Sequence, residues 1–177
     1  MDKLEFRDLK EDEIDVRVAT VSEKGVTLLL YKDARVDQNI LDETVGKFGW
    51  QREHKELKGN IYCGISIWDD ERKQWVTKWD CGKESFTEAE KGEASDSFKR
   101  AGFNWGIGRE LYTAPFIWIN AKDTILENKN GKWIVKDSFS VEKIRMENKI
   151  IVGLAIKNKL GTRVFKYVDE SLKENKE

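Results

Sequence analysis

One histidine, His54, is all that this chain of 177 residues offers for imidazole chemistry. A multi-histidine metal site is therefore excluded, and a Ser-His-Asp triad has a single candidate base with no recognisable acid–base partner near it in sequence. Two cysteines, Cys63 and Cys81, do not make a disulfide framework. One proline, Pro115, and no Ser/Gly-rich linker leave no clean domain boundary. No run approaches the roughly 18 apolar residues of a membrane span, so no membrane partner is expected. Met1 to Lys10 is charged and lacks an apolar core, so no signal peptide is expected and a reduced, cytoplasmic setting is the default. Charge of one sign is missing as well. The 32 Lys+Arg stand against 33 Asp+Glu, a net charge of −1, although 37% of residues are charged. That excludes a uniformly basic nucleic-acid coat and a one-signed disordered tail.

Aromatic residues are plentiful: seven Trp, eight Phe and four Tyr. The length suits one domain with room for an appended subdomain. The runs Ile14–Thr20 and Val26–Tyr31 flank Ser22–Gly25 and predict a β-hairpin. Val36, Ile40, Leu41 and Val45 form a helical stripe within 34–48, closed by Gly46 and Gly49. Trp50 opens a β region. Ile61, Cys63, Ile65 and Ile67 alternate with Tyr62, Gly64, Ser66 and Trp68, so this strand has one apolar face. A polar turn at 69–73 leads to a second strand from Trp75 to Cys81. Apolar matching pairs Ile67 with Trp75, Ile65 with Thr77 and Cys63 with Trp79. In that register the two cysteines are diagonal neighbours about 7–8 Å apart, too far for an unstrained disulfide, and both are expected as core thiols.

Thr87-Glu88-Ala89-Glu90 matches a capping box. The helix it opens runs to Trp105, with Ala94, Phe98, Ala101 and Trp105 on its apolar stripe and Gly106 and Gly108 as its stop. Short β-strands are expected at 116–120, 132–135, 141–146, 150–156 and 163–168. The order β-β-α-β-β-β-α followed by a β-rich tail predicts an α+β fold with an antiparallel sheet.

Five chemical signals stand out, each with an ordinary alternative. Lys91, Ser95 and Lys99 share a helix face, and Lys99 and Arg100 follow the apolar Phe98. Two adjacent cations among small residues can hold a phosphate backbone, or can be a solvated face paired with Glu93 and Asp96. Gly106-Ile107-Gly108-Arg109 follows a helix instead of preceding one, so it reads as a helix end rather than a phosphate loop, with Arg109 still able to reach a phosphate. Of the tryptophans, Trp75, Trp79 and Trp105 are expected inside, and Trp68 and Trp50 are the candidate surface aromatics, for bases or for a subunit contact. The acidic clusters Asp69-Asp70-Glu71 and Asp80 with Glu84 suggest Mg²⁺ for a nuclease, or ordinary turn chemistry. Finally, ten bases and three acids fall between Lys129 and Lys166, so that segment is +7 and the rest of the chain −8. It is either a footprint for a polyanion or a set of solubilising lysines.

The combination Asp80-Cys81-Gly82, Ala94-Ser95-Asp96-Ser97-Phe98-Lys99-Arg100-Ala101 and Trp105 through Tyr112 resembles the Rad-fifty-two family of single-strand annealing proteins. Its phage and bacterial members, the Sak-type recombinases and the DdrA repair protein, are the nearer likeness. Val45-Gly46-Lys47-Phe48-Gly49-Trp50 resembles the family's short helix ending in Gly-Trp. The likeness runs from about Tyr31 to Pro115. It implies a β-β-β-α core packed on a long helix, expected at residues 1–121; the basic β-rich extension expected at 122–177 lies outside the likeness and rests on the local charge count. It also implies assembly into rings or arcs, and single-stranded DNA held in a cationic groove by Lys99, Arg100 and Arg35, with Lys91 and Arg109 as further candidates. The implied activity is annealing of complementary strands in recombination and double-strand break repair. No catalytic residue, metal, cofactor or nucleotide hydrolysis is expected, and a host ssDNA-binding protein is a candidate partner. The long C-terminal extension by which larger relatives recruit a recombinase is not expected, and the likeness therefore implies no recombinase partner. A DNA-end-protecting module without annealing activity, and a metal-dependent nuclease, remain as alternatives.

Overall fold

The computed structural model describes residues 4–82 and 89–170, with the side chains of 89–91 outside that description. The fold is mixed α+β, with mostly antiparallel sheets and two α-helices among the described residues. In chain order the elements are β1 (Asp15–Ser22), β2 (Gly25–Tyr31), α1 (Ala34–Val45), β3 (Trp50–Leu57), β4 (Asn60–Asp69), β5 (Gln74–Cys81), α2 (Ala89–Trp105), β6 (Ile117–Asn120), β7 (Leu126–Lys129), β8 (Lys132–Val135), β9 (Phe139–Glu147), β10 (Ile150–Asn158) and β11 (Arg163–Val168). No helix among the described residues is long and apolar enough to cross a membrane. Packing divides the chain into two units: Met1–Arg7 with Asp33–Arg109, and Asp8–Lys32 with Glu110–Glu177.

The first unit holds α1, the sheet β3-β4-β5 and α2. Asp33 caps α1 by accepting from the Arg35 backbone N–H at 2.8 Å. Ile40 and Leu41 of the expected stripe are fully buried. The helix stops three residues short of the expected Phe48, because Gly46 takes φ +77° and returns its N–H to the Asp42 carbonyl. Lys58 and Gly59 both take positive φ, the geometry of the tight turn that joins β3 to β4.

The β4–β5 register differs from the expected one by a single residue. Ile67 opposes Val76, Ile65 opposes Lys78, Cys63 opposes Asp80 and Trp68 opposes Trp75. Apolar matching assigns Lys78 and Asp80 to the solvent face. Both instead share the helix-facing side with Ile65 and Cys63, and α2 satisfies them there. Asp80 accepts from Arg100 Nε at 3.2 Å and from the Asn104 amide at 3.1 Å. Lys78 donates to the Asn104 carbonyl at 2.9 Å and lies 4.3 Å from the centre of the Trp105 ring. A strand facing a helix end can carry charge inward where the helix supplies partners. The slip turns every β5 side chain over. Trp75 and Trp79, expected in the core, lie on the open face with Trp68, each about 40% exposed. Cys63 and Cys81 point to opposite faces, and both are free thiols. Cys63 is buried, which pushes its thiol up to about 11. Cys81, expected as a core thiol, is half-buried on the open side.

Trp79 lies flat over Gly64, its directly opposed residue. A Cβ at position 64 would stand 2.6–2.8 Å from three atoms of the indole. Gly64→Ala is therefore expected to lift the ring, and tryptophan fluorescence should report the displacement as a red shift with the far-UV circular dichroism unchanged. An unaltered spectrum would show that Trp79 does not rest on the glycine.

α2 packs its stripe as expected: Phe98 and Ala101 are buried, and Trp105 donates its indole N–H to the Ile65 carbonyl at 2.9 Å. The helix ends in a Schellman arrangement. Gly106, at φ +100°, donates to Phe103 and Ile107 donates to Gly102, both at 3.0 Å. The capping box at Thr87 lies outside the described residues. His54 is exposed on the helix-facing side of β3, its Nε2 3.2 Å from the Ala94 carbonyl. Trp50, a candidate surface aromatic, is instead half-buried, with its ring 6.1 Å from Phe98 and its N–H on Asp42 at 2.7 Å.

The second unit holds the sheets β1-β2-β6 and β11-β10-β9 and the hairpin β7-β8. Its core is Val26, Leu28, Ile117, Ile119, Ile151, Leu154 and Ile156. The expected N-terminal hairpin and the β9, β10 and β11 strands form here. The sequence pattern does not show β7, whose four residues carry no apolar alternation.

Candidate nucleic-acid interface

All five sequence-derived candidates fall in the first unit, on or beside the two helices. Arg35 sits in the first turn of α1 with its side chain 83% exposed. Its guanidinium turns back on the capping residue, donating from Nε to Asp33 at 2.9 Å and from a terminal nitrogen at 3.2 Å. Those bonds hold the Asp33 carboxyl down at about 2, with the nearby Lys99 ammonium adding to the shift. The charge of Lys99, on α2, is thus felt at the residue that caps α1. No hydrogen bond or ion pair with a described residue holds its ammonium.

Arg100 is the next residue, and one step along a helix turns a side chain by about 100°. It points toward β5, where Asp80 engages it. The pair Lys99-Arg100 thus straddles the helix, one cation toward α1 and one toward the sheet. Asp80 takes three partners: Arg100, Asn104 and the Cys81 backbone N–H. Arg109 closes the end of α2. It donates to the Phe103 carbonyl at 2.8 Å and to that of Asn104 at 3.2 Å, and it lies 5.3 Å from the centre of the Phe103 ring. A cation there also complements the negative end of the helix dipole. Lys91 lies in α2, and its side chain is outside the described residues.

Sequence reasoning passes over Phe48. The expected helical span 34–48 ends on it, yet it stands beyond the helix on the turn to β3, 97% exposed and flanked by Lys47. Its signal is its place between two glycines.

The acidic turn is spent on itself. Asp69 accepts from the backbone of Glu71 and of Arg72, both at 3.0 Å, and from the Arg72 guanidinium, and these bonds lower its carboxyl. Among the described residues no group of three or more His, Cys, Asp or Glu side chains is placed to hold a metal ion. In the second unit, the basic segment 129–166 is partly neutralised in place. Lys129 and Lys136 pair with Glu127, Arg145 with Glu147, Lys149 with Asp8 and Arg163 with Glu142.

Around α1 and α2 the structure therefore places Arg35 paired with Asp33, Arg100 paired with Asp80, and Lys99 with no described partner. Searches among curated proteins and among solved structures return no match. A family model described as "Rad52/22 family double-strand break repair protein" matches residues 2–132. That span contains both helices, the sheet between them and every cation named above as a DNA candidate. Because it covers most of the sequence, the chain belongs to the Rad52/22 family of double-strand break repair proteins.

Proposed function

We propose that the protein binds single-stranded DNA along the α1–α2 side of its first unit and anneals complementary strands in recombination and break repair. The observation that carries this is the placing of Arg35, at the start of α1, and of Lys99 and Arg100, on α2, within one packed unit, with the Lys99 charge adding to the pull on Asp33. It gathers cations from two separate segments of a chain that has almost no net charge. Arg100 adds a cation on the β5 side of α2, where it is paired with Asp80, and Lys91 and Arg109 are further candidates on α2 and at its end. Annealing needs no bond cleavage and no nucleotide. It needs phosphates neutralised and base edges left free for a second strand. In this reading residues 1–121 are the annealing core and 122–177 a basic extension. The protein works as a ring or arc of phage or bacterial type, in which each protomer's few cations add through avidity. A host ssDNA-binding protein is a candidate partner.

The test is fluorescence-resolved pairing of complementary oligonucleotides, without ATP or Mg²⁺, together with sedimentation of the protein with and without DNA. Acceleration of pairing by an oligomer supports the reading. Tight binding without acceleration favours an end-protecting module instead, and no binding at low salt ends the proposal.

Asp33 provides an independent check. Its carboxylate both caps α1 and occupies Arg35. Asp33→Asn keeps a good cap and releases the guanidinium, so ssDNA affinity is expected to rise a few-fold with little change in melting temperature. Asp33→Ala should release Arg35 equally while costing about 1 kcal/mol of stability for the lost cap. The pH dependence has a definite sign. The folded carboxyl titrates near 2, below its ordinary 3.8. Its stabilisation is fully present above about pH 4 and disappears as pH falls through 2. As pH falls from about 4 through 2, acid titration should show wild type losing stability that Asp33→Asn, with no carboxyl to protonate at this position, does not lose.

A further inference from the structure

The open face of the β3-β4-β5 sheet carries aromatic groups that the annealing surface does not use. Trp68, Trp75 and Trp79 lie there, 38%, 40% and 38% exposed. They share the face with Tyr62, Lys55, Gln51 and the hydrogen-bonded pair Ser66–Thr77 at 2.8 Å. The helix-facing side of the same sheet packs on Phe98, Ala101 and Trp105. The aromatic face is therefore turned away from α2.

We infer that this face is a stacking platform for unpaired nucleotides, centred on Trp79, with Lys55 as its phosphate contact. The inference rests on the reading of the protein as an ssDNA binder and adds a second surface to it.

Four observations support that occupant. The rings are held in place before any ligand arrives. Trp79 lies on the bare backbone of Gly64, Trp68 donates its indole N–H to Asp70 at 3.0 Å, and Trp68 meets Trp75 edge to face at 5.5 Å. Ordered rings take a base at a small entropic cost. Next, Trp79 already holds a cation on its π-face: Lys55 Nζ is 4.7 Å from the ring centre and pairs with Glu53 at 3.1 Å. Lys55 is half exposed on a flexible stem. A base laid on Trp79 displaces the ammonium from the ring, and the ammonium then has a phosphate within reach. Third, the face is mixed in character. Gln51, Glu53, Lys55, Ser66 and Thr77 interleave with the indoles, unlike the continuous apolar surface that an obligate subunit contact buries. Last, stacking takes only the π-face of a base, so the pairing edge stays open to a complementary strand. A platform of this kind is compatible with annealing, which a base-edge reader would obstruct.

The experiment compares oligonucleotides of equal length and charge, one bearing bases and one abasic throughout, with binding followed by protein tryptophan fluorescence and by anisotropy. The wild type should quench and should prefer the base-bearing strand by about tenfold, the scale of one base on one ring. Trp79→Leu should lose most of both effects. Lys55→Ala should weaken both strands alike and lower the salt slope. Circular dichroism confirms folding of each variant, and Trp75→Leu is the substitute if Trp79→Leu unfolds. Thymidine monophosphate in place of the oligonucleotide separates a free-nucleotide site from a strand site. Quenching by the monophosphate alone at equal concentration assigns the platform to free nucleotides, and the need for a strand assigns it to DNA. Equal affinity for the two strands with no change in Trp79→Leu overturns the platform and leaves the phosphate surface standing. Loss of oligomerisation in Trp79→Leu without loss of base preference overturns it in favour of a subunit contact. No binding of either strand by the wild type removes the ssDNA reading itself.

Discussion

Lys99→Ala is expected to weaken ssDNA binding about tenfold at low salt, and Lys99→Ala with Arg100→Ala by considerably more. A hydrogen bond to a charged partner contributes about 1.5–3 kcal/mol, and the lower end of that range is a factor of ten. The salt dependence is the sharper measurement. Removing one cation that neutralises a phosphate of a single strand should flatten the slope of log affinity against log salt by about 0.7. Lys99 is the cleaner probe of the two. Its ammonium holds no described hydrogen bond or ion pair, so its removal should leave stability almost unchanged. Arg100 is bound to Asp80 and is about one-third exposed. Its removal leaves a partly buried carboxylate with Asn104 and the Cys81 N–H alone, so this variant should be less stable as well as weaker in phosphate binding. Lys99→Arg separates charge from shape, and it should retain most of the slope. Affinity and slope unchanged in Lys99→Ala would remove this residue from the interface. Unchanged values in the double variant would remove the α2 surface altogether.

The hairpin β1–β2 and both helices are legible in the sequence because their signals are local. Gly25 and Gly46 sit where the backbone takes positive φ, and Ile40, Leu41, Phe98 and Ala101 recur at helical spacing. The β4–β5 register is not legible, and the reason is long-range. Alternation alone puts Trp75 and Trp79 inside and Lys78 and Asp80 outside. The partners that reverse this, Arg100, Asn104 and Trp105, stand twenty or more residues further along the chain. A pattern argument sees the strand but not the helix that neutralises it. The site shows the same division. Lys99, Arg100 and Arg35 are recognisable as residue types in a family setting. The reach of the Lys99 charge to Asp33 depends on how α1 packs against α2, and nothing in either segment announces it. Phe48 is hidden for a smaller reason: a helix carried through Gly46 absorbs an exposed ring that in fact stands on a turn.

The largest expected effect on stability is at Phe98, which is 1% exposed. Its ring lies 6.1 Å from that of Trp50 and carries the Arg52 guanidinium at 4.9 Å. α2 packs on β4 and β5, and Phe98 is the side chain by which it also reaches Trp50 and Arg52 of β3. Phe98→Ala removes buried apolar area and leaves a cavity, for a cost of about 3–5 kcal/mol. A domain's whole stability is about 5–15 kcal/mol, so much of it is at stake. Urea titration followed by tryptophan fluorescence should show the midpoint falling sharply, with Trp50 reporting directly because it faces the lost ring. Phe98→Leu keeps most of the volume and should cost less than about 1.5 kcal/mol. The two variants also separate anchoring from charge. Phe98→Ala retains Lys99 and Arg100, but the helix that presents them loses its buried anchor in the sheet, so ssDNA affinity should fall along with stability. Phe98→Leu should keep affinity close to wild type. An alanine variant that stays within about 1 kcal/mol of wild type, well below the cost of such a cavity, would mean that α2 is seated by Trp105 and the Arg100–Asp80 pair instead. The cations beside Phe98 would then depend on the far end of the helix for their position.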